Sequence, residues 1–197
     1  MNILFLTALK AEAQSIISHY NLVKNNTSHI YSNGNVFLFI IGVGNKKVLN
    51  RLKSFVLNYN QWESTTIINI GIAGGNQLDV KLGEIYRVSS IVDQHSGRMY
   101  FPDILLKSII DESDLTTVLK PINNKPVTQR GLVDMEAAII TATAISYLNI
   151  DKIAVIKVVS DHMEIAEWSS LDVCEIIRSK LDSICAFMEL YLSLIHI

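Results

Sequence analysis

Four polar features of the sequence are candidates for chemistry. Three of them follow short apolar runs of the kind that form buried strands: Glu12, the glycine-rich segment 71–75, and Ser160 with Asp161. The fourth, Glu136, lies near the start of a stretch that is otherwise rich in alanine and isoleucine. Carboxylates in such surroundings either turn outward into water or are kept as acids, bases and hydrogen-bond acceptors.

Each feature also has a structural explanation. Glu12 is a first-turn carboxylate that a helix dipole favours, and Glu136 could face solvent. The segment 71–75 could form only a tight turn, since it matches neither a Gly-x-Gly-x-x-Gly nor a Walker pattern. Ser160 and Asp161 could cap the next helix. Their joint placement favours function, because ligands of open α/β sheets bind where the carboxyl ends of the strands meet.

The elements that position these residues alternate between strands and helices. Residue spacing predicts strands at 3–8, 30–32, 36–41, 65–70, 84–92 and 153–159, and helices at 10–20, 46–59, 133–148 and 164–194. Asn33-Gly34-Asn35 predicts a hairpin between the second and third strands. We therefore expect an α/β fold in a single domain over residues 1–197, with a mixed, largely parallel central sheet flanked by helices.

The composition excludes several functional classes. Seventeen Lys and Arg balance nineteen Asp and Glu, and the sequence holds no basic run, so nucleic acid is not expected as a partner. No apolar stretch reaches the ~18 residues of a membrane-spanning helix. No basic residue precedes the apolar start of the chain, as a signal peptide requires. We expect a cytoplasmic protein with no membrane partner.

The two cysteines do not indicate a metal site. Cys174 and Cys185 lie among isoleucine, phenylalanine and methionine, and we interpret both as buried thiols. We expect neither a metal nor a cofactor.

Six segments carry a resemblance to a known family. They are residues 1–12 (MNILFLTALKAE), 42–46 (GVGNK), 69–75 (NIGIAGG), 82–89 (LGEIYRVS), 133–138 (VDMEAA) and 158–161 (VVSD). In order and approximate spacing the chain resembles the nucleoside phosphorylase superfamily, and within it the 5′-methylthioadenosine/S-adenosylhomocysteine nucleosidases. The resemblance covers residues 1 to about 92 and 131 to the end.

The resemblance implies a role for each matching residue. Glu12 matches the carboxylate that activates the attacking water, and Asp161 matches the acid that serves the purine N7, with Ser160 orienting it. Met135 and Glu136 match residues at the ribose. The glycine segment contributes Ile72, Ala73 and Gly74 to substrate binding, although Ile72 stands where the family has a small polar residue.

The middle of the chain departs from the family. Residues 93–132 form a markedly shortened segment, in which Leu115–Leu119 is an abridged version of a family strand. The family places an aromatic side chain against the base here, but no Phe, Tyr or Trp lies between Pro102 and Ser146. The resemblance therefore assigns no residue of this segment to stacking on the base.

Three functions remain open on the sequence. The first is hydrolysis of the N-glycosidic bond of a purine nucleoside, such as a 5′-modified adenosine. The second is a catalytically weak or inactive nucleoside-binding relative. The third is a phosphate-dependent phosphorylase, which is disfavoured because Asn76-Gln77 follows the glycine segment where phosphorylases of the superfamily have an arginine.

An apolar cluster in the shortened segment indicates an assembly. Met99, Tyr100 and Phe101 are consecutive, and such side chains are either core residues or an interface. Related nucleosidases are homodimers in which one subunit closes the other's pocket. We expect a homodimer whose interface includes Tyr100 or Phe101.

Overall fold

The apolar runs of the sequence form the central strands of one sheet. The computed structural model describes residues 1–25, 29–59, 61–102, 109–123, 130–164 and 170–194. Its strands are β1 (Asn2–Thr7), β2 (Val23–Lys24), β3 (Ile30–Asn33), β4 (Val36–Ile40), β5 (Thr65–Gly75), β6 (Ile85–Asp93), β7 (Met99–Tyr100), β8 (Asp111–Thr117), β9 (Leu132–Asp134) and β10 (Ile153–Asp161). Its helices are α1 (Lys10–His19), α2 (Asn45–Asn58), α3 (Ala137–Ala144), α4 (Val173–Arg178) and α5 (Leu181–Leu194), with short 3₁₀ turns at Trp62–Ser64 and Ile150–Lys152.

The sheet closes on itself at one end. Strands β2, β3, β4, β1 and β5 are neighbours in that order, and β5 then pairs with both β9 and β10. Because β10, β6, β8 and β9 are also neighbours in that order, β5 and these four strands form a closed barrel. The barrel and the flat part share β5, which is therefore buried along most of its length.

The expectation of a largely parallel sheet is wrong. Among the described strands, five pairings are parallel and five are antiparallel. Short connections cannot make a parallel crossover, and the hairpins β3–β4 and β6–β7 join their strands by only a few residues. The expected α/β class and the mixed character of the sheet are confirmed.

Helices cover both faces of the flat part. One face packs against α1, α4 and α5, through a cluster that includes Ile16, Ile68 and Phe187. The other face packs against α2 and α3, through a cluster that includes Leu52, Ile67 and Ile140. Ile67 and Ile68 belong to opposite clusters because successive strand residues point to opposite faces. Among the described residues, no helix is both long and apolar enough to cross a lipid bilayer.

Three local predictions need correction. The glycine-rich segment 71–75 is the end of β5 rather than a tight turn. The segment predicted as a helix from Val133 begins as strand β9, and α3 starts only at Ala137. The last predicted helix, 164–194, is divided into α4 and α5, and residues 165–169 of it lie outside the described part of the chain. Cys174 and Cys185 therefore lie on different helices, and both are half-buried rather than buried.

Candidate active site

The carboxyl ends of β1, β5 and β10 meet beside β9 and surround one cavity of about 300 Å³. All eight residues predicted for the site line this cavity: Glu12, Ile72, Ala73, Gly74, Met135, Glu136, Ser160 and Asp161. The remaining lining is mainly apolar and consists of Ala8, Leu9, Val43, Val118, Pro121, Ile122, Val133, Asp134 and Met163. The fold thus brings together residues that are up to 149 positions apart in the sequence.

Backbone N–H groups hold Glu12 inside the cavity. Its Oε2 accepts hydrogen bonds from Ala8 N (2.9 Å) and Leu9 N (2.8 Å), and its Oε1 accepts one from Ile72 N (3.0 Å). The side chain is 3% exposed, so it is not an outward-facing first-turn carboxylate. A Cβ atom on Gly71 would lie 2.7 Å from Oε1, and a glycine is therefore required beneath this carboxylate.

Asp161 and Ser160 form a hydrogen-bonded pair at the end of β10. Ser160 Oγ lies 2.7 Å from Asp161 Oδ2 and 3.2 Å from Ala73 O, while Asp161 Oδ1 accepts the N–H of Met163 at 2.6 Å. A hydroxyl has one proton to donate. Ser160 can therefore donate to an ionised Asp161, or accept from a protonated Asp161 and donate to Ala73 O. The pair does not cap α4, which begins at Val173 with Asp172 as its capping residue.

Glu136 lies at the N-terminus of α3 and is 8% exposed, so the solvent-facing alternative is excluded. Its Oε1 accepts the N–H of Gly44 at 3.2 Å. The bond joins the loop before α2 to the start of α3. Met135 beside it is half-buried and also lines the cavity.

A buried ion pair beneath the cavity was missed in the sequence. Lys157 Nζ lies 2.9 Å from Asp134 Oδ2, and both side chains are less than 5% exposed. Asp134 also accepts hydrogen bonds from Thr117 Oγ1 (2.7 Å) and from the N–H of Ala137 (2.9 Å) at the start of α3. The available signal was Lys157 itself, because it is the one charged residue in the apolar run 153–159.

These neighbouring charges change one another's pKa values. Burial raises the pKa of Glu12 above its usual range, opposed by Lys157 and by the three N–H donors. Burial, helped by Asp134 and Glu12, raises the pKa of Glu136 to about 7. Burial lowers the pKa of Lys157, but Asp134, Glu12 and Glu136 reverse this, so its pKa is above its usual range. Near neutral pH the site therefore holds a permanent ammonium and at least one carboxyl group that can exchange a proton.

Among the described residues, no cationic side chain lines the cavity itself, and Lys157 contacts Asp134 without being part of the lining. In the described part of the chain, no group of three or more His, Cys, Asp and Glu residues is arranged to hold a metal ion. The site offers acids, bases and backbone donors in an apolar enclosure.

Comparisons with known proteins identify the fold. No protein-family model matches the chain, and no curated protein matches its sequence. Solved structures do match. A 5′-methylthioadenosine nucleosidase from Arabidopsis thaliana aligns with a TM-score of 0.79 at 15% identity, covering 96% of this chain and 95% of that one. An MTAN from Chlamydia trachomatis aligns with a TM-score of 0.75 at 19% identity, covering 95% and 99%.

A third match is the 5′-methylthioadenosine/S-adenosylhomocysteine nucleosidase of S. pneumoniae with a transition-state inhibitor, at a TM-score of 0.71 and 15% identity. It covers 96% of this chain and 99% of that one. The protein therefore has the fold of these nucleosidases over nearly its whole length. The resemblance in the sequence motifs is confirmed at the level of the fold.

The buried ion pair predicts an asymmetric stability effect. We expect Lys157→Met to destabilise the protein by about 3–5 kcal/mol in urea denaturation, because it leaves Asp134 buried without its counter-ion. Arg130→Met is the matched control, because it breaks the exposed ion pair with Asp79. It should leave the denaturation midpoint close to that of the wild type. Equal losses in the two variants would show that Asp134 does not depend on Lys157.

The raised pKa of Glu136 predicts a pH-dependent stability. Between the ordinary value of 4.5 and the folded value of about 7, the unfolded chain loses this proton while the folded chain keeps it. The contribution of this group to the free energy of unfolding is therefore fully present below pH 4.5. It falls by about 3 kcal/mol as the pH rises to about 7. Glu136→Gln should remove that decline from the denaturation profile. The exposed Glu63→Gln should keep it, and a wild-type profile in Glu136→Gln would contradict the assignment.

Proposed function

We propose that the protein hydrolyses the N-glycosidic bond of a purine nucleoside, namely a 5′-modified adenosine such as methylthioadenosine or S-adenosylhomocysteine. One observation carries the proposal: Glu12, Glu136 and Asp161 converge on a single apolar cavity whose described lining residues include no cation. The similarity in fold to solved nucleosidases supports the same reaction class.

Departure of the base requires an acid. As the bond between the base and C1′ breaks, negative charge develops on the purine and positive charge on the sugar. Asp161 donates a proton to N7, so that the base leaves as a neutral molecule. Ser160 Oγ lies 2.7 Å from Asp161 Oδ2 and holds the carboxyl group in place. It accepts a hydrogen bond from the protonated carboxyl group and donates one to the carboxylate once the proton has moved to N7.

Attack by water requires a base. Glu12 accepts one proton from water while the water oxygen bonds to C1′, which gives the free purine and the ribose derivative. The raised pKa of Glu12 makes it a stronger base than an exposed glutamate. Three N–H donors fix both of its oxygens, so its orientation does not depend on the substrate.

Other lining residues bind the sugar and the base. Glu136 accepts hydrogen bonds from the ribose hydroxyls, and Met135 packs beside the ribose. Ile72 contributes its backbone N–H to Glu12, while Ala73 and Gly74 form a flat wall. A Cβ atom on Gly74 would lie 3.3 Å from Asp161 Oδ1 and would narrow the space at this acid. The apolar lining favours a hydrophobic 5′ substituent over a free hydroxyl group.

Water is favoured over phosphate as the nucleophile. A phosphate dianion needs charge-assisted donors, whereas the described lining of this cavity offers four acidic side chains, Glu12, Asp134, Glu136 and Asp161, and no cation. Lys157 cannot serve as that donor without leaving Asp134 unpaired. The phosphorylase is therefore the least supported of the three functions.

A second candidate is a nucleoside-binding protein with little activity. It is supported by the lining contributed by Val118, Pro121 and Ile122, because none of the described residues that line the cavity is aromatic. Weaker holding of the base would reduce both affinity and rate.

Adenine release from methylthioadenosine, measured with and without inorganic phosphate, separates the candidates. The proposed hydrolase releases adenine at the same rate in both. A phosphorylase needs phosphate, and a binding protein releases none while its melting temperature rises with the nucleoside.

Removal of the general acid Asp161 or of the general base Glu12 should strongly reduce turnover. We expect Asp161→Asn and Glu12→Gln each to lower the rate of adenine release ~10²–10⁴-fold in protein that circular dichroism shows to be folded, since an amide neither gives up a proton to N7 nor accepts the water's proton. The exposed Asp111→Asn and Glu63→Gln are matched controls with wild-type rates. Near wild-type turnover in either site variant would remove that residue from the mechanism.

The homodimer remains part of the proposal. Met99 and Phe101 are more than half exposed, at 54% and 58%. Tyr100 is half-buried against the apolar cluster of the barrel, which includes Ile91 and Leu115. The alternative that Phe101 is a core residue of its own chain is therefore not supported. None of these three side chains lines the cavity of its own chain. In the proposed dimer the two exposed side chains, Met99 and Phe101, contact the partner subunit.

Light scattering at micromolar concentration should give twice the mass of the chain. Phe101→Ser should release monomers whose urea midpoint matches the wild type under dissociating conditions, because an exposed side chain contributes little to the fold itself. Leu78→Ser, at a site that is 80% exposed, is the control and should remain dimeric. A wild-type monomer would refute the dimer.

A further inference from the structure

A second cavity borders the same sheet but has a different lining from the carboxylate site. It has a volume of about 620 Å³ and lies between α2 and strands β3 and β4, near the β2 edge of the sheet. Among the described residues its lining contains no acidic side chain and consists of Asn25, His29, Ile30, Phe37, Phe39, Arg51, Ser54, Phe55, Asn58 and Tyr59. The proposed reaction uses none of these residues.

Positive charge converges at one end of this cavity. Arg51 Nη2 lies 3.0 Å from His29 Nε2, and Arg51 Nη1 donates to Ile40 O at 3.2 Å. A Cβ atom on Gly42 would lie 3.0 Å from Arg51 and 3.2 Å from Lys47, so both side chains pass over the same glycine. Limited burial and then the charges of Arg51, Lys24 and Lys47 lower the pKa of His29.

These cations have no counter-ion among the described residues. Every ion pair found there joins other residues, and no carboxylate approaches Arg51, Lys24 or Lys47 within 4 Å. Arg51 keeps three of its five N–H groups for a ligand, and a guanidinium group next to an imidazole and an ammonium group is a suitable arrangement for a phosphate or carboxylate.

Aromatic rings form the opposite wall. Phe39 and Phe55 are stacked with ring centres 4.9 Å apart, and Phe55 and Tyr59 are stacked at 5.0 Å. Phe37 meets Tyr59 edge to face at 6.1 Å, which leaves both of these half-buried rings at the cavity surface. Asn25 and Asn58 add polar groups at the rim.

We propose that this cavity is a second ligand site, which takes an aromatic compound carrying a phosphate group, of the mononucleotide class. The phosphate contacts Arg51, His29 and Lys47, and the flat ring lies against Phe37 and Tyr59. A concave site of this volume, with one cationic end and an aromatic wall, matches the size of a small molecule. The two cavities differ in charge, because carboxylates at the first repel the phosphate that the second attracts.

Isothermal titration of the full chain with AMP at low salt tests this site, with inorganic phosphate as the comparison. We expect AMP to bind at least tenfold more tightly than phosphate alone. Arg51→Ala should weaken AMP binding at least tenfold, and the exposed Lys47→Ala should weaken it severalfold even if Arg51→Ala unfolds. Neither Lys47 nor Lys53 lines the cavity, but Lys47 lies beside Arg51 over Gly42. Lys53→Ala removes an exposed charge from the same helix that is not among the atoms nearest to Gly42, and it should bind AMP as the wild type does.

Glu136→Gln separates this site from the first cavity and should leave AMP binding unchanged, whether or not the protein is a nucleosidase. Absence of AMP binding, equal losses in Lys47→Ala and Lys53→Ala, or loss of binding in Glu136→Gln would overturn the proposal. Phosphate binding as tight as AMP binding would contradict the aromatic part of it.

Discussion

The buried ion pair between Lys157 and Asp134 is the interaction on which the site depends. Two charges are removed from water here, and such a pair is tolerated only when further hydrogen bonds satisfy it. Thr117 and the N–H of Ala137 supply them to Asp134. The pair therefore ties β8, β9 and β10 to the first turn of α3, and fixes the position from which Glu136 enters the cavity.

The same pair sets the charge of the site. One ammonium group faces three buried carboxyl groups, Asp134, Glu12 and Glu136, and cannot neutralise all of them. Asp134 has the contact with Lys157. Burial therefore raises the pKa of Glu12, which Lys157 opposes only in part, and burial together with the charges of Asp134 and Glu12 raises the pKa of Glu136. A site with this balance favours water and a developing positive charge on a sugar, and it disfavours an added dianion. The chemistry proposed for the cavity thus follows from how few cations the fold places near it.

The sequence predicts the convergence of the candidate residues better than it predicts the sheet. Glu12, Glu136 and Asp161 are each a polar residue next to an apolar run, and such runs end at a common rim in an α/β fold, so the sequence predicts that these residues lie together. The sheet was misjudged because pairing partners are set by connection length and barrel closure, which the apolar pattern does not contain. The ion pair of Lys157 is not predictable from the apolar pattern, because its partner Asp134 lies in strand β9, in a segment whose composition favours a helix. The second cavity is also not predictable from the sequence, because its charged and aromatic side chains come together only when α2 packs against β3 and β4.

The most direct measurement is a crystal structure of the Asp161→Asn variant with intact methylthioadenosine, which the loss of the acid should preserve. We expect the purine N7 next to residue 161, the ribose hydroxyls within hydrogen-bond distance of Glu136, and a water molecule between Glu12 and C1′. A nucleoside bound with its ribose away from Glu136, or a cavity that stays empty at saturating nucleoside, would contradict the assignment of this cavity as the nucleoside site.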